Sequence, residues 1–239
     1  MKKTKKMFVF GNTNFAALVK DYFVNFSEYE VTGFVVDKEY ITEDTLENLP
    51  VISMDQCLLL YPPKEYEAFI AIGYININRI RAEKIKYLQE QGYRLASYID
   101  ISSRVFPEAE IGQNCFVMEN AVVQRNVKIK DGVVVLPNVC IGHDSIVEEC
   151  SFIGAGTVLN GNCEIGKNCF FAANTTVNNS IKIADYTVIG SGAHITKNTK
   201  QYGIYMVPGA QNILGNITDN GQLEKAQIKF FNGNIRRQA

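Results

Sequence analysis

An apolar residue returns at every sixth position from Val105 to Ile195: Val105, Ile111, Val117, Val123, Ile129, Val135, Ile141, Val147, Ile153, Leu159, Ile165, Phe171, Val177, Ile183, Ile189, Ile195. With roughly half of the residues apolar, sixteen successes in a row arise by chance about once in tens of thousands of tries, so the period belongs to the fold. The column fails at Gln201. Four positions after each aliphatic stands a small residue, such as Ala109, Cys115, Ala121, Val133, Ser145, Ser151, Thr157, Cys163, Cys169, Thr175, Thr187 and Ala193, with Ile181 the exception. Strand side chains alternate, so this column and the aliphatic two residues later point to one side, which is predicted to be the interior. Three positions after each aliphatic, eleven of sixteen residues are Asn or Gly: Asn114, Asn120, Asn126, Gly132, Asn138, Gly156, Asn162, Asn168, Asn174, Gly192 and Asn198. Both accept left-handed backbone, so each hexad is predicted to end in a corner. Short strand, corner and short strand make a β-solenoid.

Residues 1–99 follow another rule. Apolar runs at Met7–Phe10, Val31–Val36, Phe69–Ile72 and Leu95–Ile99 alternate with helix-like stretches, notably Asn78–Gln91, which predicts a small parallel α/β domain. The domains are therefore expected at 1–99 and 100–200, with a C-terminal segment at 201–239. Charges of both signs are mixed to a net −1, which gives no basic field for nucleic acid or an anionic membrane. The basic start MKKTKKMFVFGN carries only four apolar residues before Gly11, too few for a signal-peptide core. No run is long enough to span a bilayer, and the six cysteines form no C-x-x-C pair, so a cytoplasmic protein with reduced thiols is expected.

The hexads Ile141-Gly142-His143-Asp144-Ser145 and Ile165-Gly166-Lys167-Asn168-Cys169 resemble those of hexapeptide-repeat acyltransferases. With the N-terminal domain, the chain to about residue 211 resembles the sialic acid O-acetyltransferase and sugar-nucleotide N-acetyltransferase group of bacterial glycan pathways. That resemblance implies a left-handed parallel β-helix with three hexads per coil, hence a little over five coils, a homotrimer, and acetyl-CoA as co-substrate with no metal. A zinc site of the hexapeptide carbonic-anhydrase kind needs three histidines, and the chain has two.

At eighteen residues per coil, three outward rows follow. One is charged: Glu110, Lys128, Ile146, Glu164, Lys182, Lys200. The next, Phe116, Val134, Phe152, Phe170, Val188, has no polar member and is expected to be covered by another subunit. The third, Val122, Cys140, Val158, Thr176, His194, is mixed.

His143 falls in an outward corner column beside the mixed row. The resemblance makes it the general base, and imidazole suits removal of a proton from an attacking amine or hydroxyl. Asp144 is the expected partner that orients the ring, although Asp also suits a corner for backbone reasons. Backbone amides around Gly154 to Gly156 are candidate oxyanion donors. The resemblance further implies cofactor contacts at Phe152, where related chains carry a second histidine, and at Gly154, Ala155, Ala173, Gly190, Ser191 and Gly192. It places nucleotide-sugar contacts at Asn12, Thr13, Asn14, Val36, Asp37 and Gly73. The segment Val207-Pro208-Gly209-Ala210-Gln211 departs from the family's Gly-x-Pro-Ala-Lys ending, and Asp219–Phe231 has the spacing of a short helix. The expected activity is N-acetylation of a nucleotide-linked amino sugar; O-acetylation of a hydroxyl and a non-catalytic trimeric scaffold with a nucleotide-sensing domain are the alternatives.

Overall fold

The computed structural model describes residues 2–209. The helix expected at Asp219–Phe231 and the last two residues of Val207–Gln211 lie outside the described residues. The N-terminal domain orders β1 (Lys5–Phe10), α1 (Asn14–Phe26), β2 (Tyr29–Val36), β3 (Thr45–Leu46), β4 (Leu49–Ser53), α2 (Met54–Leu60), β5 (Tyr66–Ile70) and α3 (Arg79–Glu90). Its sheet runs β3-β4-β2-β1-β5, with β1 parallel to β2 and β5, and only β3 antiparallel. Met7 to Phe10 are all buried, as expected of a central strand covered on both faces. Ala16, Val19 and Phe23 give α1 one buried stripe, and α2 starts at a capping box in which Ser53 and Gln56 satisfy each other's backbone amides.

The second domain is a parallel β-helix of triangular section. Its two-residue strands form three faces of seven, six and five strands. The ladder register repeats every eighteen residues, as in Val134 to Phe152 to Phe170 and Lys128 to Ile146 to Glu164. The aliphatic column and the small column fill the prism, from Cys115, Val117 and Ala121 up to Ala193 and Ile195, while Ile181, the oversized member of the small column, is pushed to a half-buried place. The corner column takes left-handed backbone at Asn114, Asn120, Asn126, Gly132, Asn138, Gly156, Asn162, Asn168, Asn174 and Gly192. Asp144, Cys150, Ser180 and Tyr186 adopt the same φ at the same place in the hexad, so at Cys150, Ser180 and Tyr186 the fold imposes that conformation on residues with little preference for it. Asn198 is not among the left-handed residues described.

The coil starts one hexad before Val105. Tyr98 and Ile99 pair with Phe116 and Val117, while Leu95 bridges back to Ala68 of β5. The expected strand Leu95–Ile99 is thus shared between the two domains. At the other end Ile204 and Tyr205 pair with Val188 and Ile189, sixteen residues on instead of eighteen, which is why the sixfold column breaks at Gln201.

Most of the apolar row is covered by this same chain, where the sequence predicts another subunit, while Val188 stays half-buried. Phe116, Val134 and Phe152 are buried in one cluster with Met7, Val9, Val19, Phe23, Phe69 and Tyr98 of the same chain. The rings of Phe15, Tyr22, Phe69 and Tyr98 all have centroids within 6.2 Å of that of Phe116. Tyr74 lies on Phe152 and Phe170 at 5.6 and 4.6 Å. Counting hexads identifies a sticky face; it carries no information on what meets it.

Polar contacts lock the docking. The Asn114 side chain accepts from the Ile70 amide at 2.7 Å and donates to the Ile70 carbonyl at 3.2 Å. Arg81 of α3 is fully buried, and its guanidinium donates to the carbonyls of Ile72 and Gly73 in one domain and of Gly132 and Cys150 in the other, at 2.6 to 3.1 Å. Desolvation pulls this guanidinium down to about 10, still protonated at neutral pH.

Candidate active site

His143 stands at the corner that leads from the mixed face to the charged face, between the strands Cys140–Ile141 and Ile146–Val147. It points outward, with 45% of its side chain exposed. Its Nδ1 lies 2.7 Å from Asp144 Oδ2. Asp144 can reach the ring of its own neighbour because the corner gives it φ +58°. The coil below holds both residues. Asn126 Nδ2 donates to Asp144 Oδ1 at 2.8 Å, and the His143 backbone amide donates to Gln124 Oε1 at 2.9 Å.

The bond from Asn126 and then that from the His143 ring hold the Asp144 carboxyl below the usual carboxylate range. An ionised carboxylate only accepts, so Nδ1 carries the hydrogen, and in the neutral ring Nε2 keeps a lone pair that meets no hydrogen-bond donor among the described residues. That is the arrangement of an imidazole ready to take a proton.

The expected oxyanion donors need correcting. Gly154 and Gly156 both spend their amides within the coil, on the carbonyls of Phe171 and Pro137 at 2.8 and 3.0 Å. Gly190 and Gly192 do the same, on Tyr205 and Ala173. The amides of Ala155, Ala173 and Ser191, between these glycines, have no acceptor among the described residues. They stack one per coil at the other edge of the mixed face. Their side chains are small and half-buried or exposed, which leaves the amides open to a ligand. Phe152, expected to contact the cofactor, is 7% exposed and packed on Phe15, Tyr74 and Phe170, so its ring meets this chain's own aromatic side chains.

Asn12, Thr13, Asn14, Val36, Asp37 and Gly73 gather where strand order reverses about β1, at the carboxyl ends of β1, β2 and β5, the usual ligand crevice of such sheets. Gly11 turns the chain there with φ +130°, and a side chain on it would come within 2.9 Å of the Ala71 carbonyl oxygen. Asn12 donates to the Tyr40 carbonyl, and Asp37 is paired with Lys84 at 2.6 Å. A Cβ on Gly73 would meet nothing within 4 Å. Beyond Asp37, a groove of about 400 Å³ continues past Met54, Asp55, Lys84 and Tyr87. Gln124, Lys84 and Arg81 are absent from the residues that the sequence singles out, and Asn126 stands among them only as a corner residue. Asn126 is within reach of the eighteen-residue coil, which places it directly below Asp144.

The PglD N-terminal domain family matches residues 6–88, and the GMPPB C-terminal domain family matches residues 95–205. The acetyltransferase domain of PglB from Neisseria gonorrhoeae is 25% identical over 85% of this chain and 97% of that one, with a TM-score of 0.76. The same domain solved with acetyl coenzyme A is 26% identical over 80% and 93%, with a TM-score of 0.70. The chain has the fold and domain order of the hexapeptide-repeat sugar acetyltransferases. PerB from Caulobacter crescentus, solved with CoA and GDP-perosamine, shares the fold at 20% identity over 84% and 94%, with a TM-score of 0.76. Among the described residues no cluster of metal-ligating side chains occurs, and no helix is long and apolar enough to cross a membrane.

Proposed function

We propose that the protein transfers an acetyl group from acetyl-CoA to the amino group of a nucleotide-linked amino sugar in bacterial surface-glycan biosynthesis. The observation that carries this reading is the His143–Asp144 pair, 2.7 Å apart at an exposed edge with Nε2 free. His143 Nε2 accepts a proton from the amine as its nitrogen attacks the thioester carbonyl. The tetrahedral oxyanion then collapses, the C–S bond breaks, and the thiolate of CoA leaves with that proton. Asp144 keeps the ring in the correct tautomer and steadies the imidazolium between the two steps.

The donor's arm suits the row of Ala155, Ala173 and Ser191. Stacked strands lie about 4.8 Å apart, so three unpaired amides offer evenly spaced donors to the amide carbonyls of an extended pantetheine chain. The acceptor's nucleotide fits the crevice at Asn12, Thr13, Asn14, Val36, Asp37 and Gly73, where the Asp37 carboxylate can accept from ribose hydroxyls.

His143 and the amide row border opposite edges of the mixed face. One chain presents both, and neighbouring copies packed through that face bring one edge against the other. The half-buried Val122, Cys140, Val158 and Thr176 suit such a contact, which closes as a homotrimer. The test is thiol release from acetyl-CoA over UDP-, dTDP- and GDP-linked amino sugars, with matched sugars that carry a hydroxyl in place of the amine alongside. Turnover confined to the amino sugars supports the reading. Turnover confined to hydroxyl acceptors moves the enzyme to O-acetylation, and release from none leaves a non-catalytic scaffold.

A further inference from the structure

We propose that Gly161 is a positioning residue for His143, placed one coil above it so that the imidazole lies against bare backbone. This rests on His143 being the base. A Cβ built on Gly161 would stand 2.6 Å from Nε2, 2.7 Å from Cε1 and 3.1 Å from Cδ2 of His143. All three nearest atoms belong to that one ring.

Gly142 and Gly154 of the same coil region differ in kind. At Gly142 a Cβ meets the backbone of Asn160 and Gly161 at 2.6 Å, and at Gly154 it meets Phe171 and Ala172 backbone at 2.5 and 2.7 Å. Those glycines are required by the stacking of the coil. Gly161 is buried, but its φ lies outside the left-handed region and the three atoms nearest its Cβ position all belong to the tip of one side chain. An alanine there suits the backbone and conflicts with the imidazole. The ring, not the coil, has to give way.

The ring has little freedom to do so and remain useful. Asp144 holds Nδ1 from one side, and Gln124 and Asn126 fix the backbone and the carboxylate from below. Rotating away from residue 161 breaks the Nδ1 to Asp144 bond or swings Nε2 off its line. Gly161 thus completes a three-coil clamp, with residues 124 and 126 below, 143 and 144 in the middle and 161 above.

The experiment compares Gly161→Ala, His143→Ala and the double variant in full-length protein, with thiol release as the rate. Displacement of the base by about an ångström costs on the order of 10²-fold, so Gly161→Ala is expected to lower kcat by about that factor with both KM values little changed. The double variant is expected to be no slower than His143→Ala, because without the ring the methyl conflicts with nothing. A second readout needs no activity: ¹⁵N shifts of the His143 ring, read alone in a His194→Asn background, should move away from the Nδ1–H tautomer in Gly161→Ala.

Wild-type kcat and an unchanged tautomer in Gly161→Ala overturn the proposal. So does a double variant slower than His143→Ala by the same factor, which places the effect elsewhere. If Gly161→Ala unfolds both with and without the imidazole, the coil itself requires the glycine and the proposal fails. Should His143→Ala keep the wild-type rate, the base assignment falls, while the tautomer still reports whether Gly161 sets the ring.

Discussion

Phe116→Ala tests whether the apolar row is an internal seam. Phe116 is completely buried, and four rings from the first domain and the first coil surround it. Truncating a buried phenylalanine costs about 3–5 kcal/mol. The site sits against a hydrogen-bonded ladder that cannot collapse into the gap, and each aromatic pair adds about 0.5–1.5 kcal/mol beyond area. We expect a loss of about 4 kcal/mol, equivalent to a fall in Tm of roughly 10 °C for a chain of this size. Urea unfolding followed by circular dichroism at two protein concentrations tenfold apart measures it. Because the partner side chains lie in the same chain, the loss should not depend on concentration. A loss below about 1 kcal/mol, or one that grows on dilution with release of monomer, would refute the intrachain seam.

Three further outcomes follow from the same contacts. Asp144→Asn keeps the corner but replaces the ionised acceptor of Nδ1–H with a neutral amide whose NH2 can turn to the ring and favour the other tautomer, and should lower kcat by roughly 10- to 100-fold with donor binding intact. The Asp144 carboxyl is depressed in the folded protein, so its contribution is complete above the ordinary carboxylate range and fades only as pH falls through the lowered value; protonation of Asp144 should therefore not narrow the rate gap between wild type and Asp144→Asn as pH falls from about 8 to about 5. Arg81→Met leaves buried carbonyls of Ile72, Gly73, Gly132 and Cys150 without a donor, at about 1–3 kcal/mol each where water does not replace it, and should give a fall in Tm with the largest kinetic change in acceptor KM. All six thiols are free, and burial pushes Cys57, Cys150 and Cys169 up to about 11 and Cys115 to about 12. At pH 8 a thiol reagent should therefore modify at most the half-buried Cys140 in the native protein, and all six cysteines after denaturation.

The repeat makes the β-helix legible because each column has one physical job. Aliphatic and small residues fill the prism, Asn and Gly turn the corners, and the outward residues are free to differ. The same logic hides the seam, since Phe116 and Phe152 announce burial but not their neighbours, and the aromatic partners Phe15 and Tyr22 lie about a hundred residues away from Phe116 in sequence. Ile99 stands one hexad before Val105 and opens the same column, but the stretch from Asp100 to Arg104 between them reads as a linker. The short helix α2 is readable in hindsight, because Ser53-Met54-Asp55-Gln56 is a capping-box pattern. Arg81 gives no signal, because on a polar helix a guanidinium bound for the interior looks like one bound for water. At the candidate site, His143 and Asp144 stand out through their motif, and the residues that hold them follow only once eighteen is added or subtracted.

The mechanism stands or falls on whether the free nitrogen of one imidazole takes the proton in acetyl transfer. The direct measurement is the single-turnover rate of His143→Ala with saturating acetyl-CoA and the acceptor that the wild type turns over, in protein shown by calorimetry to bind both. General base catalysis contributes typically about 10²–10⁴-fold, and a loss of about that size is expected. A variant that binds both substrates and transfers the acetyl group at the wild-type rate contradicts the assignment of His143 as the base.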